Sequence, residues 1–270
     1  MVSSIYFDRG DFAPSQQDAL VLEIVSLGKR EAALLVVCDG IGGLEEGGYA
    51  SSYVTMRLRN WFYDVYLKGG RTGYRSSRAG RDCIGVLYDC NRYLQRYGKE
   101  RGIRLGTTMT MVLLQGRRFF REKKGTSLVF KYQLFHAGDS RAYRLGRKCE
   151  RLTEDDSYED NALYRCIGSF PWRGVQKRRG YLRSGERILL CSDGFWRRLG
   201  EEELAESLGC GRKTVGSLGL SEEQMEKRLR KLGNASRARG EKDNQAAVLA
   251  GINEGIYGKR NGFGKRRWER

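Results

Sequence analysis

The chain has 270 residues, 40% hydrophobic and 31% charged, which fits a soluble, packed protein with one large core or two small ones. No apolar run approaches the roughly 20 residues of a membrane span, and the opening MVSSIYFDRG lacks the basic-then-apolar layout of a signal peptide, so a cytoplasmic protein is expected. The 7 cysteines, at 38, 83, 90, 149, 166, 191 and 210, form no CxxC pair and argue against a disulfide framework or a zinc cluster. The formal charge of +17 lies partly in residues 69 to 81, 117 to 124 and 259 to 270; no nucleic-acid-binding module accompanies it, and a solvated surface is the favoured reading.

In chain order, SIYFDRGDF, DALVLEIVSL and EAALLVVC read as strands within residues 2 to 37, with Leu20, Leu22 and Ile24 on one face and a hairpin turn from Lys29 to Glu31. The polar SQQDA before the second strand reads as a turn, and Asp18 stands beside Asp39 if these strands pair. The apolar run Leu34 to Cys38 ends on Asp39, followed by glycines at 40, 42, 43, 47 and 48. A helix is expected over Gly48 to Leu67, with Ala50, Val54, Leu58, Trp61 and Val65 as its apolar stripe. Residues 69 to 81 read as a polar loop, and a second helix, Asp82 to about Arg101, buries Cys83, Leu87, Cys90 and Leu94. The two helices are expected to pair antiparallel.

From Gly106 the period changes. Segments 106 to 116, 127 to 138 and 140 to 146 are strand-like, with hairpins at 116 to 126 and at Gly138/Asp139. Residues 158 to 180 read as irregular. Then RILLCSDGF runs a strand over 187 to 192 into Asp193, helices are expected over Phe195 to Leu208 and Ser221 to Ala235, and Ser221 with Gln224 has capping-box spacing. KDNQAAVLA places Asp243 and Asn244 before a last strand. One strand ending in Asp-Gly is an ordinary turn, but three aspartates at strand boundaries can converge at one end of a sheet, where carboxylates suit hard divalent cations. The element order predicts an α+β four-layer sandwich, two antiparallel sheets flanked by helix pairs, formed by residues 1 to 257 with a basic tail over 258 to 270.

QQDA at 16 to 19, VVCDGIGG at 36 to 43, GTT at 106 to 108, HAGDSRAYRL at 136 to 145, LTEDDS at 152 to 157, LLCSDGFW at 189 to 196 and GEKDNQAAVL at 240 to 249 resemble, in order, the motifs of the PP2C (PPM) metal-dependent Ser/Thr protein phosphatases, especially compact bacterial members. The resemblance spans nearly the whole chain and implies hydrolysis of phosphoserine and phosphothreonine by a metal-activated water. It implies two Mn²⁺ or Mg²⁺ ions, with a third, weaker one. Asp39 looks like the bridging carboxylate and the Gly40 carbonyl like a backbone ligand. Asp193 and Asp243 resemble the remaining ligands, Asp139 the acid of the third ion, and Asp18 the residue that orients the attacking water. Two cations roughly 3.5 to 4 Å apart repel, so an anionic bridge between them is required. The expected partners are phosphorylated proteins and a cognate Ser/Thr kinase or its substrates, with residues 158 to 180 as the family's variable flap.

The chain also departs from the pattern. The family's phosphate-gripping arginine corresponds to Ala13, which leaves Arg9, or an arginine from elsewhere in the chain, as the candidate replacement. Gln17 stands where many members carry a glutamate, Ile41 where some carry a histidine, and Asp156 replaces a histidine. His136, the only histidine, reads as a packed sheet residue. Three readings follow: an active phosphatase, a degenerate member that binds phosphoproteins without turnover, and a charge-driven nucleic-acid binder. The three separated carboxylates disfavour the last.

Overall fold

The computed structural model describes residues 1–11, 15–27, 30–42, 46–70, 76–117, 129–159, 162–211 and 219–252. At its centre lies β3 (Arg30–Cys38), buried from Glu31 onward. Its side chains alternate between two cores: Leu34, Val36 and Cys38 face one layer of helices, while Ala33, Leu35 and Val37 face a second sheet. The same division holds in β11 (Arg187–Cys191) and β12 (Gln245–Gly251), where Ile188, Leu190, Ala246 and Val248 meet β3 and its neighbours. Their opposite faces, including Leu189 and Leu249, pack on the other helices.

One five-stranded antiparallel sheet runs β10 (Gln176–Arg183), β7 (Val129–Ala137), β6 (Met109–Arg117), β3 and β2 (Ala19–Leu27). The other runs β1 (Val2–Asp8), β12, β11, β8 (Arg141–Leu145) and β9 (Cys149–Arg151). A short ribbon pairs β4 (Gly40–Gly42) with β5 (Leu105–Thr107). Helices α1 (Glu46–Trp61), α2 (Lys68–Gly70) and α3 (Ser76–Arg101) cover the first sheet; α4 (Asp193–Trp196), α5 (Glu201–Ser207) and α6 (Glu222–Ala238) cover the second. The α+β four-layer sandwich expected from the sequence is therefore the fold observed.

Tyr49 stacks on Tyr97 at 4.5 Å and Tyr53 on Tyr93 at 4.2 Å, so the start of α1 meets the end of α3 and the pair is antiparallel. Several local expectations are corrected. Between α1 and α2 a π-helical stretch, Phe62–Leu67, takes an extra residue per turn; the apolar stripe shifts phase, burying Phe62 and leaving Val65 43% exposed. Residues 76 to 81 are helical, because Ala79 extends the Cys83, Leu87, Cys90 and Leu94 stripe by one turn into the core. The expected helix 195 to 208 is two helices, broken between Trp196 and Glu201 with Gly200 at the N-cap of α5. The irregular 158 to 180 segment ends in β10, whose exposed Lys177, Arg178 and Arg179 hide the strand pattern of an edge. The capping box at Ser221 is present, Gln224 N donating to Ser221 Oγ at 3.2 Å.

The 106 to 116 strand is interrupted at Thr108, which leaves the ladder to bond Asp39. Ala13, most of the 116 to 126 hairpin, residues 28–29, the 259 to 270 basic segment and the expected boundary at 257 lie outside the described residues. Among the described residues, no helix is long and apolar enough to cross a membrane.

Candidate metal centre

Antiparallel pairing of β2 with β3 sets Ala19 opposite Cys38, and this register carries Asp18 to Asp39. The main chain of Asp39 is held on both sides: its N–H donates to Thr108 Oγ1 at 2.9 Å, while its carbonyl accepts from Thr108 N at 2.8 Å and Thr107 Oγ1 at 2.9 Å. Gly40 follows where only a glycine fits, since a Cβ there would lie 2.2 Å from the Gly47 carbonyl oxygen of α1. The strand end, Thr107, Thr108 and the start of α1 thus fix the main chain that carries the Asp39 carboxylate and the Gly40 carbonyl.

The second sheet delivers the others. Ser192 follows β11, accepts from Ala246 N at 2.9 Å and donates its hydroxyl to Asp18 Oδ2 at 2.8 Å, linking three distant segments. Asp193 opens α4 and carries the guanidinium of Arg197, one turn on. Asp243 precedes β12, and its carboxylate accepts from Asn244 N at 2.8 Å; its own N–H donates to Glu241 Oε1 at 3.1 Å. Asn244 accepts from Gln17 N at 2.6 Å and donates to the Arg9 carbonyl. Arg9 therefore lies with its main chain one residue from Asp243, and its side chain is exposed. Asp139 sits in the turn after β7, its carbonyl accepting from Trp196 Nε1 at 3.1 Å.

The Asp39 carboxyl lies against those of Asp193 and Asp18. Burial, then the charges of Asp193 and Asp18, hold Asp39 well above the usual carboxylate range, and burial, then Asp193 and Asp243, do the same to Asp18. Asp243 is raised by burial and Asp193, and Asp139 is pushed up to about 7 by burial and Asp193. Among the described residues, no three His, Cys, Asp or Glu side chains converge tightly enough to hold a metal ion as they stand. Yet Asp18 Oδ1 and Asp193 Oδ1 are buried with no hydrogen-bond partner, an arrangement costly without a cation. All-oxygen donors, crowded carboxylates and orphaned buried oxygens fit a hard divalent ion.

Of the departures inside the described residues, Gln17, Ile41 and Asp156, the last has a structural role. Asp156 Oδ2 accepts from Gly138 N at 3.1 Å, and its Oδ1 accepts from Gln176 Nε2 at 2.9 Å and pairs with Arg165 at 3.2 Å, so it braces the Asp139 turn. His136 is packed as expected, Nδ1 at 2.9 Å from Thr110 Oγ1 and Nε2 at 3.1 Å from the Glu154 carbonyl. Ile41 points outward, 37% exposed. Sequence reasoning missed Arg197 and Glu241; the only signal for Arg197 was its place four residues after Asp193 in an apolar helix start.

Asp139 provides a pH test. A folded-state value of about 7, above the ordinary 3.8, means that its contribution to stability is full below about pH 4 and is lost as pH rises through 7. In chelator, Asp139→Asn should therefore gain melting temperature relative to wild type between pH 5 and 8. A difference that is flat or falls across this range contradicts the burial and charge assigned to Asp139.

No protein-family model matches the chain. A Ser/Thr protein phosphatase of Mycobacterium tuberculosis, PstP, is 28% identical over 199 residues, 66% of this chain but 34% of PstP, so the matched stretch spans about a third of that relative. Among solved structures, PppA, described as a key regulatory component of the T6SS in Pseudomonas aeruginosa, superposes with a TM-score of 0.67 at 24% identity, over 92% of this chain and 95% of that one. The PstP catalytic domain solved with two manganese ions gives a TM-score of 0.67 at 22% identity, over 93% and 98%. In fold the chain matches solved bacterial Ser/Thr phosphatase catalytic domains, and in distant sequence it is similar to part of PstP.

Proposed function

We propose that the chain is a metal-dependent protein phosphatase that hydrolyses phosphoserine and phosphothreonine. What supports this reading is that burial and neighbouring carboxylates, Asp193 among them, hold Asp18, Asp39 and Asp243 above the usual carboxylate range, with two buried carboxylate oxygens left unpartnered. Asp39 and the Gly40 carbonyl, with Asp193 and Asp243, would hold two Mn²⁺ or Mg²⁺ ions, and Asp139 a third. Bound there, the ions supply Lewis acidity, acidifying water and offsetting charge on phosphoryl oxygens.

The chain's own residues supply position. Thr107 and Thr108 fix the Asp39 backbone, so its carboxyl needs no reorganisation when charge develops. The Ser192 hydroxyl occupies Asp18 Oδ2 and leaves Oδ1 to orient and take a proton from the attacking water. Arg9 is the sequence's candidate for gripping phosphate. The substrates would be cytoplasmic phosphoproteins, with a cognate Ser/Thr kinase or its targets as partners.

The contact between Arg197 and Asp193 favours a second reading, a degenerate member that binds phosphoproteins without turnover. Phosphate release from phosphothreonine peptides, with and without Mn²⁺, decides between them. Metal-dependent release is expected, together with a melting temperature that rises across a millimolar Mn²⁺ titration. A rise in melting temperature with no release leaves the binding reading; no rise at all contradicts the metal site.

A further inference from the structure

Arg197 closes the single turn of α4: its N–H donates to the Asp193 carbonyl at 2.8 Å and its guanidinium reaches back to the Asp193 carboxylate. The side chain is 39% exposed, on the solvent side of a cluster that is otherwise carboxylate. The same guanidinium lies in the field of Glu241, Asp139 and Asp243. Its neighbour Arg198 is already directed to Glu241, at 3.6 Å. Asp193 is thus neutralised from outside by a flexible arm, while its second oxygen stays buried and unpartnered.

A bound divalent cation weakens that arrangement. Two positive groups would share one carboxylate, and the guanidinium, with solvent behind it, is the one free to move. A guanidinium released there stays beside the carboxylate cluster, and its fork matches two phosphate oxygens. Resting on the metal-dependent phosphatase reading, we propose that Arg197 is an exchangeable counter-cation: it holds Asp193 in the metal-free chain and turns to the substrate phosphate when a divalent cation takes Asp193. Arg197 thereby does the work for which the sequence put Arg9 forward, and it couples phosphate recognition to metal loading.

The test uses the full chain, Mn²⁺ alone, and then inorganic phosphate on the Mn²⁺-loaded protein, both followed by calorimetry. Arg197→Gln should bind Mn²⁺ roughly tenfold more tightly, because no cation competes for Asp193, and phosphate roughly tenfold more weakly, because the charge-assisted fork is gone. Arg197→Lys should fall between wild type and Arg197→Gln in both measurements, and it serves as the second variant if the glutamine form is poorly folded. Unchanged or weaker Mn²⁺ binding in Arg197→Gln overturns the proposal, as does unchanged phosphate affinity, including the case in which only Arg9→Ala weakens it. Opposed shifts in the two affinities without any phosphopeptide turnover by wild type would uphold the exchange and sink the phosphatase reading. Turnover with neither shift would do the reverse.

Discussion

Asp39→Asn is expected to abolish metal-dependent phosphate release while the domain stays folded. The reason lies in how Asp39 is attached. Its main chain is held by Thr108 N and by the Thr107 and Thr108 hydroxyls, none of which touches the carboxylate, and the β3 strand before it is buried by its own apolar side chains. Asparagine keeps the volume and the backbone contacts but removes the charge a bridge between two cations requires. Replacing an outer partner of a metal ligand costs roughly 10- to 100-fold in affinity or activity, and losing the bridging charge itself should cost more.

Stability should move the other way. Burial and the neighbouring Asp193 and Asp18 hold the Asp39 carboxyl well above the usual carboxylate range, so at neutral pH in chelator its ionisation opposes folding. The variant's melting temperature in chelator should equal or exceed that of wild type, and the Mn²⁺-induced rise should shrink. Substantial residual phosphatase activity, with two bound ions confirmed by elemental analysis, would remove Asp39 from the bridging position.

The aspartates proposed to hold metal were legible because they sit where the sequence punctuates most strongly. β3, β11 and β12 are buried on both faces, so they read as unbroken apolar runs, and Asp39, Asp193 and Asp243 stand at the ends of those runs beside glycine or asparagine. Asp18 was placed by a conditional argument, strand pairing, and the register Ala19 to Cys38 meets that condition.

What the sequence hid has a different physical character. β10 is an edge strand with a basic face, so burial leaves almost no alternation to read. The phase change at Phe62 comes from a π-helical turn that no periodicity of 3.6 anticipates. Ser192 acts on Asp18 across 174 residues and Asn244 on Gln17 across 227, contacts created only by tertiary packing. Arg197 belongs to both kinds. Its four-residue offset from Asp193 was visible, but its meaning depended on α4 being a single turn rather than the start of a long helix.

Gly194→Ala should disrupt the site with a single methyl. A Cβ on Gly194 would lie 2.2 Å from the Asn244 carbonyl oxygen and 3.1 Å from Asp243 Cβ, the first a backbone atom that cannot rotate away. Neither side can yield easily. Ser192 anchors the start of α4 to Ala246, Phe195 is fully buried, and the Gly194 carbonyl accepts from Ser236 Oγ at 3.2 Å. On the other side, Asn244 is tied to Gln17 and to Arg9. Relief must therefore separate Asp193 from Asp243, the two carboxylates proposed to share an ion. Overpacking of this kind costs about 1–3 kcal/mol or more, and a displacement of about 1 Å at a reacting centre costs about 100-fold in rate. A lower melting temperature, weaker Mn²⁺ binding and loss of phosphate release should appear together. Gly200→Ala is the control, since its Cβ meets nothing within 4 Å and its φ of −73° suits any residue. If Gly194→Ala behaves like Gly200→Ala in Mn²⁺ affinity and melting temperature, α4 and the Asp243 segment are not in contact, and Asp193 and Asp243 do not form one site.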